Sequence, residues 1–187
     1  GTEALMVDAN QKWDPAQAAL MAAVLRDFDL EWLEEPMPVD EAPADWRRLR
    51  AAMHMPLAGG ENIRGLAAFE AALAWLDVAQ PDVGKWGGVT QSFTIGRQAT
   101  AAGKRYCPHW LAGGIGQIAS AHVLAAVGGT GRLEIDSNPN PLRSVLVPET
   151  KAVAAGQFSL PEGPGLGIVP DTGALAGDLV FHAEVAG

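Results

Sequence analysis

The feature of this chain that most restricts its fold is an alternation of short β-type runs with longer segments of helical periodicity. Six runs predict strands: Ala4–Val7, Leu30–Leu33, Pro56–Ala58, Val78–Gln80, Arg105–Cys107 and Leu133–Ile135. The segments between them predict helices after Asp14-Pro15 and over Ala44–Met53, Gly65–Trp75, Val89–Ala102 and Gly116–Val127. Strands that alternate with helices in this way form a parallel sheet.

The first helix carries a clear start signal. Asp14 is a good N-cap, and Pro15 suits the first helical position because its missing N–H has no helical partner there. The buried face of this helix is predicted from the helical spacing of its larger apolar residues, namely Leu20, Met21, Val24, Leu25 and Phe28.

A polar residue stands at or just after the end of each predicted strand. These residues are Asp8, Glu34, Glu61, Asp82, His109 and Glu134, at successive intervals of 26, 27, 21, 27 and 25 residues. A barrel of eight βα units in about 250 residues needs roughly 30 residues per unit. Because the carboxyl ends of barrel strands meet at one mouth, the spacing predicts that these side chains converge there.

Composition excludes several classes of protein. The 187 residues carry a formal charge of −9 without a basic patch, which argues against nucleic-acid binding. No apolar run is long enough to span a bilayer, and no secretory signal opens the chain. The single cysteine, Cys107, excludes an internal disulfide and favours a reducing compartment, so we expect a cytoplasmic protein.

Three carboxylates end consecutive predicted strands: Asp8, Glu34 and Glu61. Mg²⁺ prefers oxygen ligands, and three negative charges placed together are costly unless a cation neutralises them. Any one of these acids could equally be an ordinary surface residue. Their shared position relative to the strands favours a metal site.

The residues around these positions form recognisable stretches. They are Val7-Asp8-Ala9-Asn10-Gln11, Trp32-Leu33-Glu34-Glu35-Pro36, Gly59-Gly60-Glu61-Asn62, the run from Gln80 to Thr90, and Pro108-His109. Their order and spacing resemble the enolase superfamily, in its mandelate racemase/muconate lactonizing enzyme-like group, from about Ala4 onward. The resemblance implies an α/β fold, a (β/α)8 TIM-type barrel that is incomplete in this chain and represented by about strands 3 to 8.

The resemblance assigns roles to the metal-side residues. Asp8, Glu34 and Glu61 match the Mg²⁺ ligands on the third, fourth and fifth barrel strands. Asn10 matches a position that orients those ligands.

The resemblance also assigns catalytic roles. His109 matches a seventh-strand base, and Asp82 matches its sixth-strand partner. Glu134 matches an eighth-strand acid that faces the substrate carboxylate, and Lys85 matches a recurrent lysine beside the site.

The implied activity is that of a Mg²⁺-dependent enzyme acting on a small carboxylate. It removes the proton α to the carboxylate through an enediolate, with dehydration of a sugar acid or hydroxy acid as the expected outcome. Racemisation or epimerisation of a 2-hydroxy acid is the alternative. Two rivals stay open: a barrel lyase or aldolase without a metal, and a truncated or degenerate scaffold without catalysis.

Each candidate also has a structural interpretation. His109 could be a packed loop histidine, Asp82 a turn cap and Lys85 an exposed lysine. Asp136 rather than Glu134 could be the inward-facing acid. The glycines from 113 to 116 could bind an anion at a helix N-terminus, but we expect them to let the chain pass close to the mouth.

The resemblance places a capping domain and two barrel strands ahead of Gly1. We therefore expect residues 1–141 to be a partial barrel that carries the metal and catalytic residues. Residues 142–187 are expected to return toward the capping domain. A longer chain or a homo-oligomer is expected to complete the site.

Overall fold

The computed structural model describes residues 4–151, 153–178 and 180. Its parallel sheet has five strands that pair in chain order: β1 (Met6–Asp8), β2 (Trp32–Glu34), β3 (Leu57–Gly59), β4 (Val78–Ala79) and β5 (Arg105–Tyr106). The α-helices in these residues are α1 (Pro15–Val24), α2 (Pro43–Ala52), α3 (Leu66–Ala72), α4 (Gly88–Ala101), α5 (Gly114–Val127) and α6 (Pro141–Ser144). One α-helix connects each strand of this sheet to the next, and a 3₁₀ helix, Leu25–Phe28, follows α1. This order confirms the predicted βα repetition of a barrel wall.

The start of α1 follows the prediction. The Asp14 side chain accepts a hydrogen bond from the backbone N–H of Gln17 at 2.8 Å, and Pro15 is the first helical residue. The cap therefore satisfies one of the N–H groups that a helix leaves without an internal partner.

The predicted apolar face of the first helix is buried only in part, since Leu25 packs against the core but three other members of the face are exposed. Ala18 and Ala22 are buried, whereas Leu20, Val24 and Phe28 are 63%, 53% and 60% exposed. The predicted face followed the larger apolar residues, but α1 is apolar on several sides, so periodicity alone does not select one. The two alanines let the helix lie close to its neighbours.

The sixth predicted strand, Leu133–Ile135, is not a strand. The segment lies beside β5 but is held through side chains. The Arg132 N–H reaches Cys107 Sγ at 3.3 Å, and the Trp110 N–H donates to Glu134 Oε2 at 2.7 Å. A strand requires backbone partners, and an apolar run in the sequence does not reveal whether the backbone finds them.

The sheet separates two apolar clusters. The larger lies between the sheet and the first three helices and includes Leu33, Leu57, Trp46 and Trp75. On the other face, a smaller cluster contains Trp32, Ala58, Val78 and Cys107. Successive residues of a strand point to opposite faces, so Trp32 and Leu33 contribute to different clusters.

A charged cluster ties the amino ends of two distant strands together. Glu31, just before β2, accepts hydrogen bonds from Arg105 at 2.6 Å and from Arg132 at 2.7 Å to each carboxylate oxygen. The Arg105 guanidinium also lies 5.3 Å from the ring centroid of Trp32. The cluster lies at the end of the sheet away from the polar strand ends.

The C-terminal part has little regular structure. Two 3₁₀ helices, Pro148–Lys151 and Gly173–Asp178, flank a hairpin of β6 (Val153–Ala154) and β7 (Gln157–Phe158). The last residues of the predicted returning segment, 181–187, lie outside the described residues. No helix in the described parts of the chain has the length and apolarity needed to cross a bilayer.

Candidate active site

Two of the predicted metal ligands end adjacent strands. Asp8 and Glu34 are the last residues of β1 and β2 and lie in register. They follow Met6 and Trp32 by two residues, so they share the strand face that carries the smaller apolar cluster. The Trp32 indole N–H donates to Glu34 Oε2 at 2.9 Å, while Asp8 is exposed.

Glu61 follows β3 by two residues and turns toward the other side of the site. Its carboxylate contacts His109 Nε2 and lies 3.2 Å from Lys85 Nζ. Gly60 forms this turn with a φ of +134°, which glycine adopts readily. A side chain at this position would also collide with Phe69. Among residues 4–151, 153–178 and 180, no group of three or more His, Cys, Asp or Glu side chains has metal-site geometry.

His109 and Asp82 form a buried pair. His109 Nδ1 lies 2.7 Å from Asp82 Oδ2, and the two residues are 6% and 7% exposed. An isolated parallel bridge joins their backbones just beyond β4 and β5. Asp82 Oδ1 also accepts the backbone N–H groups of Gly84 and Lys85, at 2.7 and 2.9 Å. Asp82 therefore both caps a turn and holds the histidine ring.

The pKa values of these groups follow from their contacts. Burial opposes the charged form of His109, but hydrogen bonds to Asp82 and Glu61 outweigh it and raise the His109 pKa to about 10. The hydrogen bond from His109 is the main reason that the pKa of Glu61 falls to about 2. For Asp82, burial is outweighed by His109 and the turn N–H groups, so the pKa is lowered.

The pKa values of two other acids, Glu34 and Glu134, are raised rather than lowered. Burial raises the pKa of Glu34 to about 7, and the nearby charges of Asp8 and Glu134 add to the effect. Burial also raises the pKa of Glu134. A cation placed among these groups would favour their charged forms, so the donor set fits a hard divalent ion chemically.

Glu134 and Asp136 have different hydrogen-bond partners. Glu134 Oε2 accepts the N–H of Trp110, the residue after His109, at 2.7 Å. Asp136 instead accepts a hydrogen bond from Arg143 at 3.0 Å. Glu134 is therefore the acid that lies beside the histidine.

One cleft collects part of the predicted set. Its volume is about 420 Å³, and its lining is Asn10, Glu61, Asp82, Gly84, Lys85, His109, Trp110, Leu111 and Ala112. Lys85 is exposed and reaches the cleft from its rim. Asp8 and Glu34 do not line this cleft; they form a pair in register at the ends of β1 and β2. Glu134 does not line it either, but it accepts the backbone N–H of Trp110, which does.

Two polar residues next to the predicted ligands were not assigned roles from the sequence. Glu35 is 4% exposed and accepts a hydrogen bond from Asn62 Nδ2 at 2.7 Å. The same Asn62 nitrogen lies 2.9 Å from Glu61 Oε1. Burial raises the pKa of Glu35. The only signals in the sequence are that Glu35 follows Glu34 and that Asn62 follows Glu61.

A wall of consecutive βα units with acids at the carboxyl ends of its strands is the architecture of a TIM-type barrel and its active-site mouth. The model of the enolase C-terminal domain-like family matches residues 1–174. The chain belongs to this family.

Known relatives cover nearly all of the chain. D-galactarolactone cycloisomerase from Agrobacterium fabrum is 31% identical in an alignment of 181 residues that covers 91% of this chain and 48% of that protein. Arabinonate dehydratase from Saccharolobus solfataricus is 30% identical over 87% of this chain and 44% of its own length. The chain thus spans about half the length of the curated relatives that it matches.

Solved structures agree with this assignment. A mandelate racemase/muconate lactonizing enzyme from Bordetella bronchiseptica RB50 is 50% identical, with a TM-score of 0.90 over 96% of this chain and 51% of its own. A racemase from Streptomyces coelicolor A3(2), described with bound magnesium, is 31% identical, with a TM-score of 0.82 over 94% of this chain and 46% of its own. These matches confirm the partial-barrel fold and the group within the enolase superfamily.

Proposed function

We propose that the whole protein removes the proton α to the carboxylate of a sugar acid or hydroxy acid and then eliminates water. The observation that carries the proposal is the buried His109–Asp82 pair, which opens on a cleft beside several acids. The names of the relatives, a cycloisomerase of an acid-sugar lactone and an arabinonate dehydratase, support the substrate class.

His109 is the proposed base. When its Nδ1–H donates to Asp82, the Nε2 atom is left basic and faces the cleft side. In the structure the same nitrogen donates to Glu61, and the raised His109 pKa keeps its proton in place. This contact has to open and the Nε2 proton has to leave before Nε2 receives a proton from a substrate. A cation that engages Glu61 competes with His109 for this carboxylate.

Asp8, Glu34 and Glu61 are the proposed holders of Mg²⁺. The bound ion would stabilise the charge that develops on the substrate carboxylate as the α-proton leaves. The raised pKa of Glu34 supports this assignment, because crowded and buried acids gain from a nearby cation.

Dehydration uses the proton that His109 has taken. The α C–H bond breaks first, His109 then protonates the departing β-hydroxyl, and the β C–O bond breaks to release water. The resulting enol becomes a 2-keto-3-deoxy acid. Glu134, whose pKa is raised by burial, is the proposed donor of a hydrogen bond to the carboxylate oxygen. Lys85 is proposed to balance negative charge at the rim.

Racemisation or epimerisation of a 2-hydroxy acid is the second candidate, because a structural relative is described as a racemase. The two reactions differ in their products. Dehydration yields a keto acid that reacts with semicarbazide, whereas racemisation keeps the hydroxyl group and changes optical rotation.

The test uses the full-length protein with a panel of acid sugars and 2-hydroxy acids in D₂O, with and without Mg²⁺. Deuterium exchange at the α-carbon and release of a keto acid are the readouts. We expect Glu61→Gln and EDTA to abolish turnover and His109→Asn to abolish α-proton exchange. Glu70→Gln, an exposed change on α3, and His122→Asn on α5 are matched controls. Turnover that survives EDTA would refute the metal assignment, and exchange in His109→Asn would refute that histidine as the sole base.

We also propose the domain division at residues 141 and 142, a homo-oligomeric assembly and a location in the reducing cytoplasm. The division falls at the first turn of α6, beyond which the described chain has little regular structure. The burial of Cys107, which raises the pKa of its thiol, suits a protein without disulfide chemistry. Light scattering of the full-length protein measures the assembly directly.

A further inference from the structure

We propose that Trp110 is a positioning residue that fixes the relative placement of His109, Asp82 and Glu134. The proposal rests on the proposed function of these three residues. Trp110 itself supplies no group that transfers a proton. It acts by holding the peptide that follows the proposed base.

The backbone of Trp110 joins the base to the acid. Its N–H donates to Glu134 Oε2 at 2.7 Å, while the adjacent His109 ring is held by Asp82 at 2.7 Å. The direction of a backbone N–H depends on the orientation of its peptide. A displacement of the backbone at His109 and Trp110 would therefore change the Glu134 contact and the placement of the His109 ring together.

The indole fixes the orientation of that peptide on one side. Its Nε1–H donates to the carbonyl of Gly113 at 2.7 Å, immediately before α5 begins. The ring also lies against Gly116 within α5, where an added Cβ would stand 2.0 Å from Cζ2. Glycine at position 116 is thus required by the ring, which accounts for part of the glycine-rich stretch.

The same ring touches the turn that holds Asp82. A Cβ at Gly84 would lie 2.5 Å from Cζ3 of Trp110. The N–H of Gly84 donates to Asp82 Oδ1 at 2.7 Å. The Trp110 ring therefore lies between the turn that follows Asp82 and the first turn of α5.

The indole also separates two clefts. On one side is the polar cleft with Glu61, Asp82 and His109. On the other is an apolar cleft of about 380 Å³, whose lining includes Val89 and Leu142. Removing the ring would join the two clefts and bring water to the back of the His109–Asp82 pair.

Three substitutions in the full-length protein test the proposal. Trp110→Ala removes the ring, Gly116→Ala pushes the ring from its place, and Trp110→Phe keeps an aromatic ring without the indole hydrogen bond. A displacement near 1 Å costs about 100-fold in rate, so we expect kcat to fall roughly 10- to 100-fold for the two alanine variants. We expect Trp110→Phe to recover most of that loss and KM to change less than about threefold in all variants, because ground-state binding is little affected.

Gly177→Ala is the matched control for Gly116→Ala, because a Cβ at Gly177 has no atom within 4 Å. Wild-type kcat in both alanine variants would overturn the positioning role. So would an increase in KM at unchanged kcat, since that pattern indicates substrate contact. If Trp110→Ala does not fold, Gly116→Ala decides by the same criteria.

A second readout does not depend on the proposed function. The crystal structure of each folded alanine variant is expected to show Glu134 and His109 displaced from their wild-type positions. Unmoved side chains would overturn the positioning role even if the wild-type protein showed no α-proton exchange. Absent exchange in the wild-type protein would overturn only the proposed function.

Discussion

Replacing Asp82 with asparagine is expected to change the tautomer of His109. The carboxylate has two tasks, since Oδ1 accepts two backbone N–H groups and Oδ2 holds His109 Nδ1. In Asp82→Asn, the single amide oxygen is needed by the two backbone donors. The NH₂ group then faces Nδ1, so the proton of a neutral ring moves to Nε2 and blocks that nitrogen as a base.

The size of the effect follows from these contacts. To restore the productive tautomer, the amide must turn and lose two backbone hydrogen bonds, which cost about 1 kcal/mol each. The lost negative charge removes a further ~1.5–3 kcal/mol of stabilisation from the imidazolium. Both side chains are buried, so solvent offsets little of this. The total of about 3.5–5 kcal/mol corresponds to a roughly 300- to 5,000-fold fall in kcat.

The assay is α-proton exchange by the full-length protein in D₂O with its best acid-sugar substrate. Asp171→Asn is the matched control, because Asp171 also accepts a turn N–H but is exposed. We expect the control to retain wild-type kcat. A kcat for Asp82→Asn within tenfold of wild type would show that the carboxylate does not set the tautomer of the base.

Three further predictions concern stability and ion binding. In EDTA, the stability that His109 contributes is complete below its unfolded pKa of 6.5 and is lost as the pH rises to its folded pKa of about 10. The stability that Glu61 contributes is complete above its unfolded pKa of 4.5 and is lost as the pH falls to its folded pKa of about 2. Melting curves should therefore show that this pair stabilises the protein most between pH 4.5 and 6.5. If the Tm of His109→Asn fell at alkaline pH as much as that of the wild type, His109 would not be the group responsible. Mg²⁺ at 100 times its Kd should stabilise the folded protein by about 2.7 kcal/mol, measured as a rise in Tm that Glu61→Gln removes and Glu70→Gln retains. Gly96→Ala should destabilise the protein by ~1–3 kcal/mol in urea unfolding, because the new Cβ would lie 2.4 Å from Val127 Cγ2; a loss below 0.5 kcal/mol would show that α4 and α5 separate easily.

The parts of the fold that could be predicted are those set by local signals. Asp14 and Pro15 mark a helix start through their own chemistry, and α1 begins there. Polar residues at regular intervals indicate the strand ends, as Asp8 and Glu34 illustrate. These signals do not depend on distant parts of the chain.

The features that could not be predicted depend on packing. The buried side of α1 is decided by which residues let neighbouring elements approach, and Ala18 takes precedence there over the larger Leu20. The segment Leu133–Ile135 has the composition of a strand, but the partners described for it are side chains. A single sequence does not contain either piece of information in a local pattern.

The candidate site likewise contains residues that could be predicted from the sequence and contacts that could not. Asp82 and His109 could be selected from the sequence by type and position, and the structure brings them together. The contact of Glu61 with His109 was not foreseen, because it depends on the turn at Gly60. The role proposed for Trp110 was also hidden, since it requires two glycines from different parts of the chain to face the same ring.

The charged cluster at the amino ends of the strands has a consequence for the order of folding. Each strand of the parallel sheet pairs with its neighbour along the chain, but Glu31 and Arg132 are 101 residues apart. Closing so long a loop in an unfolded chain is entropically unfavourable. Once β2 to β5 have assembled, only a short flexible segment remains to be ordered between the two residues. We therefore expect the cluster to form late and to lock a sheet that has grown strand by strand. Until the parallel sheet is assembled the mouth of the site is incomplete, because its groups stand at the ends of β1 to β5.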